Sequence, residues 1–270
     1  MSKILFLLRL EWLKNRNYRP FWVLMALYGV MLPTIMYTLK SVNFPKQFGS
    51  TNTFFMFPNV WVYLSYIGNW LIYFLMGFIA VQAISTEVSN RTLRQNIISG
   101  LSRTDFFLSK FYFLTAVNLT LTAYFVLWSL LFGAFHTETI FLSKVTENID
   151  IVPRFFLMSM GFTSLGLFLG VLFRRSILGL FMYFTYIMFI ERIIRFLLIG
   201  KLFGENVALF APMNAVNDLT PLPLPVFVNS AMENSNHRFS LTPVEATITT
   251  LIYATLLFFG AFYLLKKRDL

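Results

Sequence analysis

Few side chains in this sequence could do chemistry, and most of those sit inside or beside long apolar runs. Glu191, Arg192 and Arg195 interrupt one such run. An ionisable group costs about 2.5–3.5 kcal/mol at a bilayer midplane on insertion scales, so such residues mark either an ion or substrate relay or a helix break whose charges reach outward. Glu191 and Arg195 are four apart, the spacing at which helical side chains pair. Counted from Ile177 at a helical rise, Glu191 lies about 21 Å along, in the outer third of a bilayer. Two readings stay open: a candidate substrate pathway, as an ion-coupled secondary transporter requires, or a structural break. Among uncharged polar residues in apolar runs (Asn69, Gln82, Thr115, Asn118, Thr120, Thr122, Thr163 and Ser164), most should glue helices together. Asn69, near the middle of its run, is the first candidate for substrate contact.

Metal and hydrolytic chemistry find little support. The chain has no Cys and only two His, His136 and His237, both in loops, so neither a metal set nor a Ser/His dyad is expected. No G-x-x-x-x-G-K-[ST] loop is present, so no nucleotide site and no cofactor are expected in this chain.

The elements that carry these residues follow from composition. Hydrophobic residues make up 57% of the chain, 33 of them Phe, and 13% are charged, against about 25% in a soluble domain. The pattern is that of an all-α, polytopic membrane protein. Six runs near the ~20 residues needed to cross hydrocarbon predict spans at Phe21–Leu39, Trp61–Ala83, Phe111–Phe135, Phe155–Phe173, Ile177–Ile199 and Val244–Leu265. Residues 1–20 mix cations with Ile, Leu, Phe and Trp12 and predict an interfacial elbow helix, or else a helix packed on the spans, broken at Asn17-Tyr18-Arg19-Pro20. The Ile4–Leu8 run is too short for a signal peptide, so no cleavable targeting segment is expected. Gly166 and Gly170 predict a close helix approach. No internal repeat or linker divides the chain, so residues 1–270 read as one transmembrane domain.

With six spans both termini share a face. That face takes five Lys and Arg from residues 1–20, four from 84–110, Arg174 and Arg175, and Lys266, Lys267 and Arg268, which is 14 of the 22 in the chain. The positive-inside rule makes it cytoplasmic. The net charge of +10 is thus membrane topology, with no nucleic-acid partner. Residues 200–243, with prolines at 212, 221, 223, 225 and 243, form a long extracytoplasmic connection, where a short helix could span Lys201–Phe210 and no long regular element is expected after Pro212.

The remaining polar stretch, residues 85–110, carries six charges and cannot cross a bilayer. Glu87 and Arg91 have the favoured i,i+4 order, with Arg94 a turn on. Ser99-Gly100-Leu101 reads as a helix end. Ser102 with Asp105 reads as an N-cap starting a second short helix. The result is a helix–turn–helix elbow.

This stretch resembles the signature segment of ABC-2 type (ATP-binding cassette) exporter permeases. Glu87, Thr92-Leu93, Gly100-Leu101, Ser102-Arg103 and Lys110 stand at its positions, although Arg91 replaces a frequent Gly and Gly100-Leu101 a frequent Pro. The basic N-terminal elbow, the six spans, the connection with Phe210-Ala211-Pro212 and the C-terminal Lys266-Lys267-Arg268-Asp269-Leu270 extend the resemblance over the whole layout. It implies an ABC-2, type V exporter-like fold in the cytoplasmic (inner) membrane. Arg91 to Lys110, including Arg94, Ser102, Arg103 and Asp105, would form a coupling helix on a separate ATPase that carries ATP and Mg. It also implies a second permease copy, a pathway between the second and fifth spans of the two copies, and a partly re-entrant region after the fifth. The wall available for that pathway is aromatic and uncharged, which favours a lipid, a drug or an apolar peptide. The alternatives are an ion-coupled secondary transporter and a membrane anchor of an ATPase-driven envelope machine.

Overall fold

The computed structural model describes residues 3–41, 51–89, 92–98, 100–223, 238 and 240–267. Among these every regular element is helical. Helix α1 (Lys3–Arg16) leads through Tyr18, which is extended, into α2 (Arg19–Thr38). Pro20 falls in the first turn of α2, where its missing N–H costs nothing, and this places the bend where Asn17–Pro20 predicts it. Then follow α3 (Asn59–Ser89), α4 (Thr92–Ile98), α5 (Arg103–His136), α6 (Leu142–Thr146), α7 (Ile151–Phe173) and α8 (Ser176–Phe203). Two short helices, α9 (Glu205–Ala208) and α10 (Pro212–Asp218), precede α11 (Pro243–Lys267).

Six helices are long and apolar enough to cross a membrane: α2, α3, α5, α7, α8 and α11. They match the six predicted runs, with two extensions. Helix α3 continues past Ala83 to Ser89, and α5 begins at Arg103 rather than Phe111. The second short helix predicted after Ser102 is therefore the first two turns of a continuous 34-residue helix. Nothing between Asp105 and Phe111 breaks it, since Phe106 to Lys110 contains neither Gly nor Pro.

The bundle is built on α3 and α7. A Cβ on Gly166 would lie 2.7 Å from Ala80 Cβ, and one on Gly170 would lie 2.9 Å from the Val81 carbonyl oxygen. The small-residue pair thus lets two backbones touch, and α3 is its partner. Helix α8 joins the same seam. The Tyr183 ring fills the space over Gly77, and its hydroxyl donates to the Tyr73 carbonyl at 3.0 Å. Helix α1 packs on the spans along one side. Leu7 and Glu11 are buried against α5, while Ile4, Leu5, Phe6, Trp12 and Leu13 are exposed on its other side.

The connection after α8 contains more helix than the prolines suggest, because Pro212 opens α10 instead of preventing it. Helix α10 folds back onto the spans. Val216 meets Gly161 at the middle of α7, and Asn217 accepts a hydrogen bond from Asn69 of α3 at 3.3 Å. Residues 224–237, including His237, lie outside the described residues.

Substituting Gly170→Ala should force α7 off α3 and destabilise the protein by about 1–3 kcal/mol, the usual cost of overpacking. Thermal unfolding in detergent checks this. Gly100→Ala, with no atom near its Cβ but a φ of 101°, should act only on the local turn.

Candidate functional site

Two polar constellations stand out, one at each end of the α3–α7 seam. The first lies at the end that carries α1, here called the near end. The extension of α3 brings Glu87 beside Lys110 of α5 and Glu11 and Lys14 of α1. Lys110 Nζ donates to Glu11 Oε2 at 2.6 Å and to Glu87 Oε1. Lys14 Nζ donates to Glu87 Oε1 at 3.0 Å and to Glu11 Oε1 at 3.3 Å. Ser109 Oγ adds a bond to Glu11 at 3.1 Å, and Asn96 Nδ2 of α4 one to Glu87 Oε2 at 3.0 Å. Glu11 is 0% and Lys110 2% exposed. Two carboxylates and two ammonium groups neutralise one another, and such pairing is what makes a buried charge tolerable.

This geometry revises several expectations. The carboxylate of Glu87 is held by Lys14, Lys110 and Asn96, while the expected partner Arg91 lies outside the described residues. Arg94 falls on α4. Thr92 Oγ1 donates to the Glu87 carbonyl at 3.1 Å, which ties α4 to the end of α3. Lys110 and Glu87 face inward, where they tie α1, α3 and α5 together. Glu11 and Lys14 were not singled out from the sequence. The available signal was Glu11 itself, the one acid among the cations of residues 1–20.

The turn beyond the cluster forms as its residue types require. Gly100 takes a φ of 101°, and Leu101 N donates back to the Asn96 carbonyl at 3.0 Å, closing α4. Ser102 Oγ accepts from Asp105 N at 3.0 Å and caps α5. Lys3 Nζ meets Asp105 Oδ1 at 2.7 Å. The hydrogen bond from Lys3, with that of Ser102, holds the Asp105 carboxyl below its ordinary range. Arg103 Nη1 donates to the Lys266 carbonyl at 2.6 Å, joining the start of α5 to the end of α11. What the turn leaves outward is Gln95, Ile98, Gly100, Ser102 and Thr104, with Ile98 79% exposed.

The second constellation is a cleft of about 1180 Å³ between α3, α8 and α10 in the other half of the bundle. All four residues singled out in the apolar runs, Asn69, Glu191, Arg192 and Arg195, line it. Glu191 and Arg195 do not pair with each other; each holds α10. Both Glu191 oxygens accept from Met213 N, at 2.8 and 3.0 Å, and Oε1 also accepts from Asn214 N at 2.8 Å. These are N–H groups of the first turn of α10, which has no side-chain cap of its own, so a carboxylate from another helix supplies the cap. Arg195 donates to Asn214 Oδ1. Asn214 Nδ2 donates in turn to the Leu209 carbonyl at 2.7 Å and to Asp218 Oδ2 at 3.1 Å. Asp218 also accepts from Leu241 N at 3.0 Å. Glu191 thus serves a second helix while α8 itself runs on to Phe203. The cleft is aromatic through Tyr63, Tyr66, Trp70 and Tyr73, and it carries two acids, Glu191 and Asp218, and two bases, Arg192 and Arg195.

Around Glu191, α8 is wound in π-helical segments at Tyr186–Ile190 and Ile194–Ile199. Such widened turns often accompany functional sites.

Six long apolar helices, a deep cleft among them and a capped polar turn at one end define a multi-pass membrane transport component. The chain belongs to the ABC-2 transporters, the family described as "ABC-2 family transporter protein" matching residues 7–190. That match covers α3 to α5 entire and reaches the π-helical part of α8. A comparison with curated proteins finds no significant match.

Two substitutions separate the roles of these sites. Lys110→Ala leaves Glu11 and Glu87 with only the more exposed Lys14 between them and should cost about 3–5 kcal/mol, read as loss of folded protein on heating in detergent. Glu191→Ala should cost about 1 kcal/mol, the worth of a helix cap, and raise protease cleavage near α10. Glu191→Gln, which keeps an acceptor, should restore most of that protection.

Proposed function

We propose that this protein is the permease subunit of an ATP-driven exporter in the cytoplasmic membrane, working as a dimer with separate ATPase subunits that hold ATP and Mg. Both termini and the α4–α5 turn face the cytoplasm, and the substrate is amphipathic or hydrophobic. The observation that carries the reading is the α4–α5 turn. It offers an exposed apolar side chain, Ile98, beside Ser102 and Thr104, on a segment anchored through Glu87 and Lys110 to α1, α3 and α5. A push at this turn reaches three helices without first stretching a flexible loop. Family membership and the 14 cations on the near face support the same orientation. The cleft is lined by the second and fifth spans, α3 and α8, which supports a substrate path along these helices.

The ion-coupled alternative rested on Glu191, and the carboxylate is occupied as the cap of α10. A permease of this kind binds an ATPase and stimulates its hydrolysis in proteoliposomes without an ion gradient. Ile98→Asp puts a charge into the apolar contact and should reduce both co-purification and stimulation at least tenfold while membrane insertion is unchanged. Asp105→Arg combined with Arg103→Glu should abolish stimulation. Full stimulation in both variants overturns the assignment of the turn, and transport that needs a proton or sodium gradient but no ATPase overturns the permease reading.

A further inference from the structure

The cleft is lined by apolar, aromatic and charged side chains together. Trp70 and Tyr73 of α3 and Ile187 and Met188 of α8 form part of its wall. Arg192, one turn beyond Met188 along α8, enters the same wall, which Asn69, Thr53, Asn59 and Ser240 also line. The charges in this wall are not equivalent. Glu191 and Asp218 are turned to α10 and Leu241, and Arg195 is bonded to Asn214. Arg192 is exposed and makes no hydrogen bond or ion pair among the described residues. A guanidinium at this depth gains from an anion, because it presents a planar set of donors that match a phosphate or carboxylate and water competes poorly.

We infer that the cleft takes an anionic amphipath, with its phosphate or carboxylate on Arg192 and its apolar chain along Trp70, Tyr73, Ile187 and Met188. Volume agrees with an occupant of this kind, since about 1180 Å³ exceeds the roughly 300–1,000 Å³ of pockets for small ligands. The Trp70 side chain, 48% exposed, is open to a chain. Of the four charged side chains in the wall, Arg192 is the exposed one, so a cationic amphipath gains nothing from it. The inference names the substrate class of the export reading above and rests on it for its role in transport, while binding itself needs no ATPase.

The test uses the full chain in phosphatidylcholine nanodiscs. Phosphatidic acid, phosphatidylcholine and a dialkyl trimethylammonium lipid, all with the same dibrominated chains, are titrated in, and the quenching that wild type shows beyond W70F isolates Trp70. Phosphatidic acid should reach half-quenching at a mole fraction at least tenfold below the other two. R192Q should remove that preference, the order of loss expected when one charge-assisted hydrogen bond disappears, and R192K should keep most of it. An alkyl phosphate should displace the brominated lipid, whereas inorganic phosphate at the same concentration should not, which separates an amphipath site from a simple anion site. Equal half-points for the three lipids, or an anionic preference that survives R192Q, overturns the inference. With ATPase stimulation intact that failure touches only the substrate class; anionic binding in a chain that engages no ATPase leaves the site and removes the export reading.

Discussion

Everything at the near end depends on four charges that cannot be separated cheaply. Glu11, Lys14, Glu87 and Lys110 come from three helices, and their opposite charges lie within hydrogen-bonding distance in surroundings that exclude most water. Removing any one leaves an uncompensated charge in a low-dielectric site, which costs far more than the intact set contributes. The set therefore acts as a constraint on geometry more than as a source of stability. It fixes where α1 lies, how far α3 extends beyond its apolar run, and where α5 begins.

The far end is organised by a different economy of charge. Helix α10 is too short to be stable alone, since isolated helices of its length do not form in water. It persists because Glu191 caps it, Asn69 and Arg195 hold its side chains, and Val216 packs on Gly161. The polar groups of α8 that looked like an interruption of a span are the ones that receive it. A charged residue deep in a membrane helix thus need not be part of a relay; an unpaired helix N-terminus folded back from the far side supplies the same demand for a carboxylate.

How much of this was legible follows from the range of each interaction. Helix ends set by local chemistry could be read directly: Pro20 at the start of α2, Gly100 closing α4, Ser102 capping α5. The close approach of Gly166 and Gly170 was also readable, though not its partner. What could not be read were pairings between residues far apart in the chain. Lys110 fits a docking surface as well as a buried ion pair until Glu11, 99 residues earlier, is placed beside it. In the same way Glu191 and Arg195 have ideal spacing to pair, and only the return of α10 shows that each has a better partner. The length of α5 was hidden for another reason, because an amphipathic beginning and an apolar continuation look like two elements when hydropathy is the guide.

The two ends are joined by parts that differ in their freedom to move. Helices α3 and α7 touch backbone to backbone at Gly166 and Gly170, so sliding one past the other drives Ala80 and Val81 into the opposing chain. They behave as a single block, and the near-end charges attach α1 and α5 to it. Helix α8 is fixed to this block up to Tyr183, by the ring over Gly77 and by the hydroxyl contact of Ser176 with Ser85 at 2.9 Å. Beyond Ile187 it leaves α3, the winding becomes π-helical and the cleft opens. From there its ties to the block run through α10 and are mainly hydrogen bonds, which can be exchanged for others at small net cost, unlike the interlocked seam. Displacement is therefore cheapest in the far half of α8 with α10, and that pair forms one wall of the cleft.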